Sequence, residues 1–211
     1  MYLGGRMSIS LQKGQKVSLS KENAGLKKII VGLGWDEAPK AGGGGGFLSS
    51  LFGSSQSQDG NIDCDASAFL LQGGRLVNKG DVVYYGNLRH SSGTVIHMGD
   101  NLTGAGEGDD EQITIDLASI PEVYDKIVIV VNIYQAVQRH QEFGMIRNAF
   151  IRLVDASNNK EILKYNLTEN YSGMTAMIFG EVYRHNGEWK FSAVGQGTTD
   201  PGIGELANRY I

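Results

Sequence analysis

Polar and apolar residues alternate along much of this chain. Ile113, Ile115 and Leu117 take every second place between Gln112, Thr114 and Asp116, the period of a strand with one buried face. Short β-branched and aromatic runs bounded by glycine predict further strands at Lys27–Trp35, Ala66–Gln72, Asp81–Tyr85, Thr94–Met98, Lys126–Tyr134, Ala149–Val154, Ile162–Tyr165, Ala176–Arg184 and Glu188–Val194. Ile127 to Val131 has no alternation and belongs in the middle of a sheet. Asn186-Gly187, between the last two runs, suits the positive backbone angles of a tight hairpin. Helical periodicity is confined to Ala136–Phe143 and Gly204–Ile211. Many short strands with glycine-rich turns predict an all-β, single-domain β-sandwich with one or two short helices.

One segment breaks the pattern. Ala41 to Gly60 holds seven glycines and five serines, with Asp59 its sole charge. Such a stretch cannot offset its own conformational entropy and is expected to be a flexible loop. The forty residues before it offer about two strands, too few to stand alone. It is therefore an insertion into one domain spanning residues 7–211, and residues 1–6 are a disordered extension. Phe47, Leu48, Leu51 and Phe52 have the spacing of one helical face. They cover a core edge, lie disordered, or dock on a partner.

Composition narrows the class. Of 211 residues, 41% are apolar and 20% charged, a folding composition. Thirty glycines are about twice average usage and agree with many turns. Nineteen basic and twenty-three acidic residues leave a net charge of −4, so no general attraction to nucleic acid is expected. The longest aliphatic run, Ile127–Val131, falls far short of the roughly 20 residues of a membrane span. Met1 to Arg6 has no apolar core, so a secretory signal is not expected. The single cysteine, Cys64, cannot form an intramolecular disulfide. These features fit a cytoplasmic protein.

The acids are clustered. Gly99 to Glu111 contains five carboxylates, one amide and four glycines, with no lysine or arginine. Carboxylates this close repel and need a counter-charge. Glycines let the backbone turn its carbonyls inward beside them, a shell of oxygens suited to a hard cation. Asp63 and Asp65 share one face at a strand entrance, and Asp36 stands at a strand exit. Loops cluster at the ends of a sandwich, so the three groups are expected to meet and share ions. The alternative is a solvated acidic loop. The spacing is not that of an EF-hand: counting from Asp100 puts Leu102 third and Ala105 sixth, and counting from Asp63 puts Gly74 twelfth.

Three blocks, Gly32-Leu33-Gly34-Trp35-Asp36, Asp63 to Leu71, and Gly99 to Gly104 followed by Gly108 to Glu111, resemble the signatures of the TerD family of bacterial tellurium-resistance and general-stress proteins. Asn148 to Asp155 extends the likeness, which runs from about Ile9 to the C-terminus. The resemblance implies a calcium-binding β-sandwich with two Ca²⁺ ions. By position, Asp36, Asp63, Asp65, Asp100, Asn101, Asp109, Asp110 and Glu111 are the implied ligands. The family usually has an acid where Ala105 stands, and a short connection in place of Ala41–Gly60.

Other chemistry is weak. His90, His97, His140 and His185 lack zinc-like spacing, and acids flank Cys64, which disfavours a thiolate. There is no nucleophile elbow and no phosphate loop. The expected function is a non-enzymatic calcium-binding stress-response protein. Its acidic loops order on Ca²⁺ into a face for other stress-response or tellurium-resistance proteins, and membrane contact comes only through a partner. The alternatives are a metal-dependent hydrolase and a calcium-dependent membrane-binding module.

Overall fold

The computed structural model describes residues 8–37, 62–100 and 108–211. Its strands are β1 (Ile9–Leu11), β2 (Lys16–Ser18), β3 (Lys28–Glu37), β4 (Cys64–Leu71), β5 (Val82–Val83), β6 (Val95–Asp100), β7 (Glu111–Asp116), β8 (Lys126–Ile133), β9 (Ile146–Asp155), β10 (Lys160–Asn166), β11 (Ala176–His185) and β12 (Glu188–Thr198). They form two six-stranded sheets, β1-β10-β9-β3-β7-β6 and β2-β12-β11-β8-β4-β5. All pairings are antiparallel except that of β1 with β10. The expected all-β sandwich is the observed fold. No helix among the described residues is long and apolar enough to cross a membrane.

The two sheets enclose one apolar core. The first contributes Ile29, Val31 and Leu33, Ile113 and Ile115, and Ile151 and Leu153; the second contributes Ala66, Ala68 and Leu70, and Ile127, Ile129 and Val131. A second apolar layer lies on the outer face of the second sheet. There Phe69, Leu71, Val128, Val130, Ala176 and Ile178 pack under Leu206 and Ala207 of a C-terminal helix, Ile203–Asn208. Strand β8 is therefore buried on both faces, which is why its apolar run does not alternate. A bulge between Ile178 and Gly180 shifts the inward set of β11 from Met177 and Phe179 to Val182.

Departures from the sequence reading are local. The turn at Asn186 (φ 53°) and Gly187 (φ 74°) is the expected hairpin. Three strands, not about two, precede residue 41 among the described residues, and β1 and β2 were not placed by the sequence. The predicted helix 136–143 closes after one turn, Ala136–Arg139, because His140 takes a left-handed φ of 53°; Phe143–Met145 follows as a 3₁₀ turn. The run Asp81–Tyr85 keeps only Val82–Val83 as strand, since Asp81 closes a 3₁₀ turn and accepts from the backbone N–H of Asn78. The extension 1–6, the insertion 41–60, Asn101 and Ala105 lie outside the described residues.

Candidate metal centre

The ends of β3 and β6 and the starts of β4 and β7 meet at one end of the sandwich. Leu33 and Asp100 both pair with Glu111, and the Tyr134 N–H, just past β8, donates to the Asp63 carbonyl at 2.7 Å. This end carries Asp36, Asp63, Asp65 and Asp109 to Glu111, and Asp100 closes β6. The side chains diverge from there into four environments.

Glu111 points inward. Strand β5 pairs only with Ala68 and Phe69, so among the described residues no strand lies beside the edge of β4 at Ala66. The buried Glu111 carboxylate accepts the Ala66 N–H, and buried His97 donates Nε2–H to the Ala66 carbonyl at 3.1 Å. The Gly99 N–H donates to His97 Nδ1 at 3.0 Å, which fixes the proton on Nε2. His97 and Glu111 stand 3.8 Å apart. Together they clasp the two sheets by satisfying a backbone edge that burial would otherwise orphan.

Asp109 points to the outer face of the first sheet. Its carboxylate receives Arg152 Nε at 2.6 Å and Nη2 at 3.1 Å, and Gln112 Nε2 at 2.9 Å. It lies over Gly32, where a Cβ would collide with it. The hydrogen bond to Asp109 holds the Arg152 guanidinium above its ordinary value. Arg152 thus supplies the counter-charge missing from Gly99–Glu111.

Asp110 and Asp36 remain exposed at the rim. Asp110 accepts the Trp35 N–H at 2.7 Å, and Asp36 accepts Nδ2 of Asn148 at 2.8 Å. Neither pairs with a lysine or arginine among the described residues. Burial pushes the Asp110 carboxyl above its ordinary value, and Asp36 and Asp109 add to the rise, against the opposing Trp35 hydrogen bond. These residues open on a groove of about 810 Å³ that also includes Phe150 and Lys164. The Lys164 ammonium sits 3.9 Å from the centre of the Phe150 ring.

Asp65 points the other way, to the outer face of the second sheet, because Cys64 and Ala66 on either side face the core. Asp63 is exposed before it. Burial, then Asp65, Tyr134, Tyr84 and Asp63, push the Tyr85 phenol up. The Cys64 thiol is raised well above its usual range by burial, then by Glu111, Asp65, Asp63 and Asp110; it stays protonated.

Part of the loop expected to share ions, residues 101–107, lies outside the described residues; among the described ones the directions separate Asp65 from Asp109. Asp65 and Asp109 lie on opposite outer faces, separated by two sheets stacked about 10 Å apart, and cannot ligate one ion. Among the described residues no three His, Cys, Asp or Glu side chains are placed to hold a metal. An ion here would need backbone carbonyls, amides, hydroxyls or water to complete its shell, which suits calcium better than zinc. Of the histidines, His90 is buried beside Asp81 at 3.3 Å, His97 forms the clasp, and His140 and His185 are exposed. Sequence reasoning gave no role to Arg152, Ser67 or Asn132, and named His97 only to set zinc aside.

A TerD domain model matches residues 7–210. The chain is 54% identical over 205 residues to stress response protein SCP2 of Bacillus subtilis (strain 168), covering 97% of this chain and 100% of that one. It is 49% identical over 206 residues to tellurium resistance protein TerD of Serratia marcescens, covering 97% of each. A crystal structure of a telluride resistance protein homologue from Streptomyces coelicolor A3(2) superposes with a TM-score of 0.58 at 23% identity, covering 83% of this chain and 92% of that one. That likeness is one of fold.

Proposed function

The chain belongs to the TerD family of stress-response and tellurium-resistance proteins, and from that premise we propose that it binds calcium through the acidic end of the sandwich. The observation that carries this reading is the pair Asp36 and Asp110: two exposed carboxylates without a cation partner among the described residues, with Asp110 protonating more readily than an ordinary carboxyl because of burial and its neighbours. Bound calcium supplies two positive charges and accepts six to eight oxygens on a flexible loop.

The protein's own residues prepare the site. The Trp35 N–H holds one Asp110 oxygen in place and leaves the other oxygen available. Asn148 orients Asp36 in the same way. Asp109 is committed to Arg152 and Gln112 and serves as the anchor of the loop; Glu111 is committed to the inter-sheet clasp. The ligand roles then fall on Asp36 and Asp110 on one side and on Asp63 and Asp65 on the other, in keeping with two ions. Exposed Tyr85, Met98 and Tyr134 border the same end. Ordering of the acidic loops between these apolar side chains would create a face for another stress-response protein.

Calorimetric titration of Ca²⁺ into chelator-treated protein tests the reading. Two ions per chain are expected, and Asp110→Asn should weaken one of them at least about tenfold, roughly 1.4 kcal/mol. Thermal melts should rise with Ca²⁺ and less with Mg²⁺, whose octahedral shell is stricter. Melts in chelator, Ca²⁺ and Mg²⁺ that superimpose at neutral pH would refute it.

A further inference from the structure

A turn of four residues, His90-Ser91-Ser92-Gly93, leads into β6. The Gly93 N–H closes it on the His90 carbonyl at 2.8 Å, and Gly93 takes the left-handed φ of 72°. Ser91 and Ser92 are exposed, while His90 is buried. Asp81, 3% exposed, lies on the inner side of the His90 ring with Oδ1 at 3.3 Å from Nε2. That carboxylate is itself held in place: Oδ1 accepts the Tyr124 hydroxyl at 2.8 Å, and Oδ2 accepts Asn78 Nδ2 at 3.3 Å. The Tyr124 ring meets the imidazole edge-on at 5.2 Å. On the outer side, Ser92 Oγ stands 2.7 Å from His90 Nδ1 and 2.7 Å from Thr94 Oγ1.

The hydrogen bonds place the protons. The Ser92 N–H donates to His90 Nδ1 at 3.2 Å, so that nitrogen is an acceptor and the ring proton sits on Nε2, facing Asp81. With no proton on Nδ1, the short contact requires the Ser92 hydroxyl to donate to it, and the Thr94 hydroxyl donates to Ser92 Oγ in turn. A hydroxyl aimed at an unprotonated imidazole, whose other nitrogen is held by a buried carboxylate, is the arrangement that activates a serine. The turn does not need it, because backbone bonds already close the hairpin. Arg89 supplies a cation at the same place: its Nη1 lies 3.4 Å from where a Cβ on Gly93 would stand.

We propose that Ser92 is a reactive serine that accepts acyl groups from activated esters, with His90 as its general base and Asp81 as the positioning residue. Ser92 Oγ attacks the acyl carbonyl carbon as its proton passes to His90 Nδ1, and the carbonyl electron pair moves onto oxygen, where Arg89 offsets the charge. The tetrahedral intermediate then re-forms the carbonyl and breaks the bond to the leaving oxygen, which takes the proton back from His90. The products are an ester of Ser92 and a free alcohol. The step uses no bound ion and stands independently of the calcium reading.

The probe is p-nitrophenyl acetate at neutral pH in chelator, with nitrophenol release followed by absorbance and the acetyl group located by peptide mass mapping. Ser92 should be acetylated at least about a hundredfold faster than its exposed neighbour Ser91, the scale of general-base assistance. Ser92→Ala should remove the adduct, and His90→Gln should slow its formation by a similar factor. Asp81→Asn should slow it as well and move the ring proton off Nε2 in histidine nitrogen NMR, a signature that lost stability alone would not give. Equal labelling of Ser91 and Ser92 in the parent protein, a comparison that needs no variant to fold, would overturn the inference. So would undiminished labelling of Ser92 in folded His90→Gln.

Discussion

Replacing Arg152 with methionine isolates what its charge does. Asp109 is 3% exposed, and its two carboxylate oxygens receive the guanidinium at 2.6 and 3.1 Å. Methionine keeps much of the aliphatic stem but takes the guanidinium away from the carboxylate. Removing one partner of a buried ion pair costs about 3–5 kcal/mol. The Arg152 side chain is 31% exposed and Gln112 stays at 2.9 Å, so screening and the remaining donor reduce the cost to about 2–3 kcal/mol. In a chain of this size each kcal/mol moves the melting temperature by about 2–4 °C, which predicts a fall of about 4–12 °C in chelator at neutral pH. Adding Asp109→Asn should recover most of the loss, because it removes the charge that Arg152 offsets. Calcium should stabilise Arg152→Met more than it stabilises the parent, because Asp109 becomes available as a ligand. Differential scanning calorimetry with and without calcium reads all of these outcomes. A deficit under about 0.5 kcal/mol would mean that Asp109 is effectively solvated and the anchor role is wrong.

Three further outcomes follow from the same geometry. Gly32→Ala places a methyl where the Asp109 carboxylate lies; overpacking should cost about 1–3 kcal/mol in a denaturant melt, and less in an Arg152→Met background, where Asp109 is already displaced. Leu206→Ala uncovers Phe69 and Val128 beneath the C-terminal helix and should cost about 2–5 kcal/mol without changing calcium titrations. Burial pushes the Asp81 carboxyl up, but hydrogen bonds from Tyr124, His90 and Asn78 outweigh it and hold the group below its ordinary value. Its contribution is therefore present above the unfolded value and lost as pH falls through the folded one. Tyr124→Phe should move the acid-unfolding midpoint to higher pH.

The sheets were legible because most strands bury one face or two. Ile113 and Ile115 announce β7 by alternation, and the unbroken run in β8 marks a strand covered on both sides. The three-residue strands β1 and β2 carry no periodicity of their own; the free edges of β10 and β12 call them into being. The acids at Asp36, Asp63, Asp65 and Asp109 to Glu111 were visible as charges gathered near strand ends. Their directions were not, because Asp109 and Asp110 precede the strand and have no alternating frame. Nor could Arg152 be matched to Asp109, forty-three residues away, before β9 and β7 were known to flank β3.

Three consecutive residues at the start of β7 serve three separate compartments: Asp109 the outer face, Asp110 the rim, Glu111 the interior. That arrangement makes this tripeptide intolerant of length changes in a way its neighbours are not. Deleting or inserting one residue between Asp109 and Ile113 would turn Glu111 out of the clasp and drive a different side chain into the core. Related sequences are therefore expected to hold the spacing from Asp109 to Ile113 fixed. A peptide tag or sensor loop grafted into this end of the sandwich should leave Asp109 to Ile113 uninterrupted.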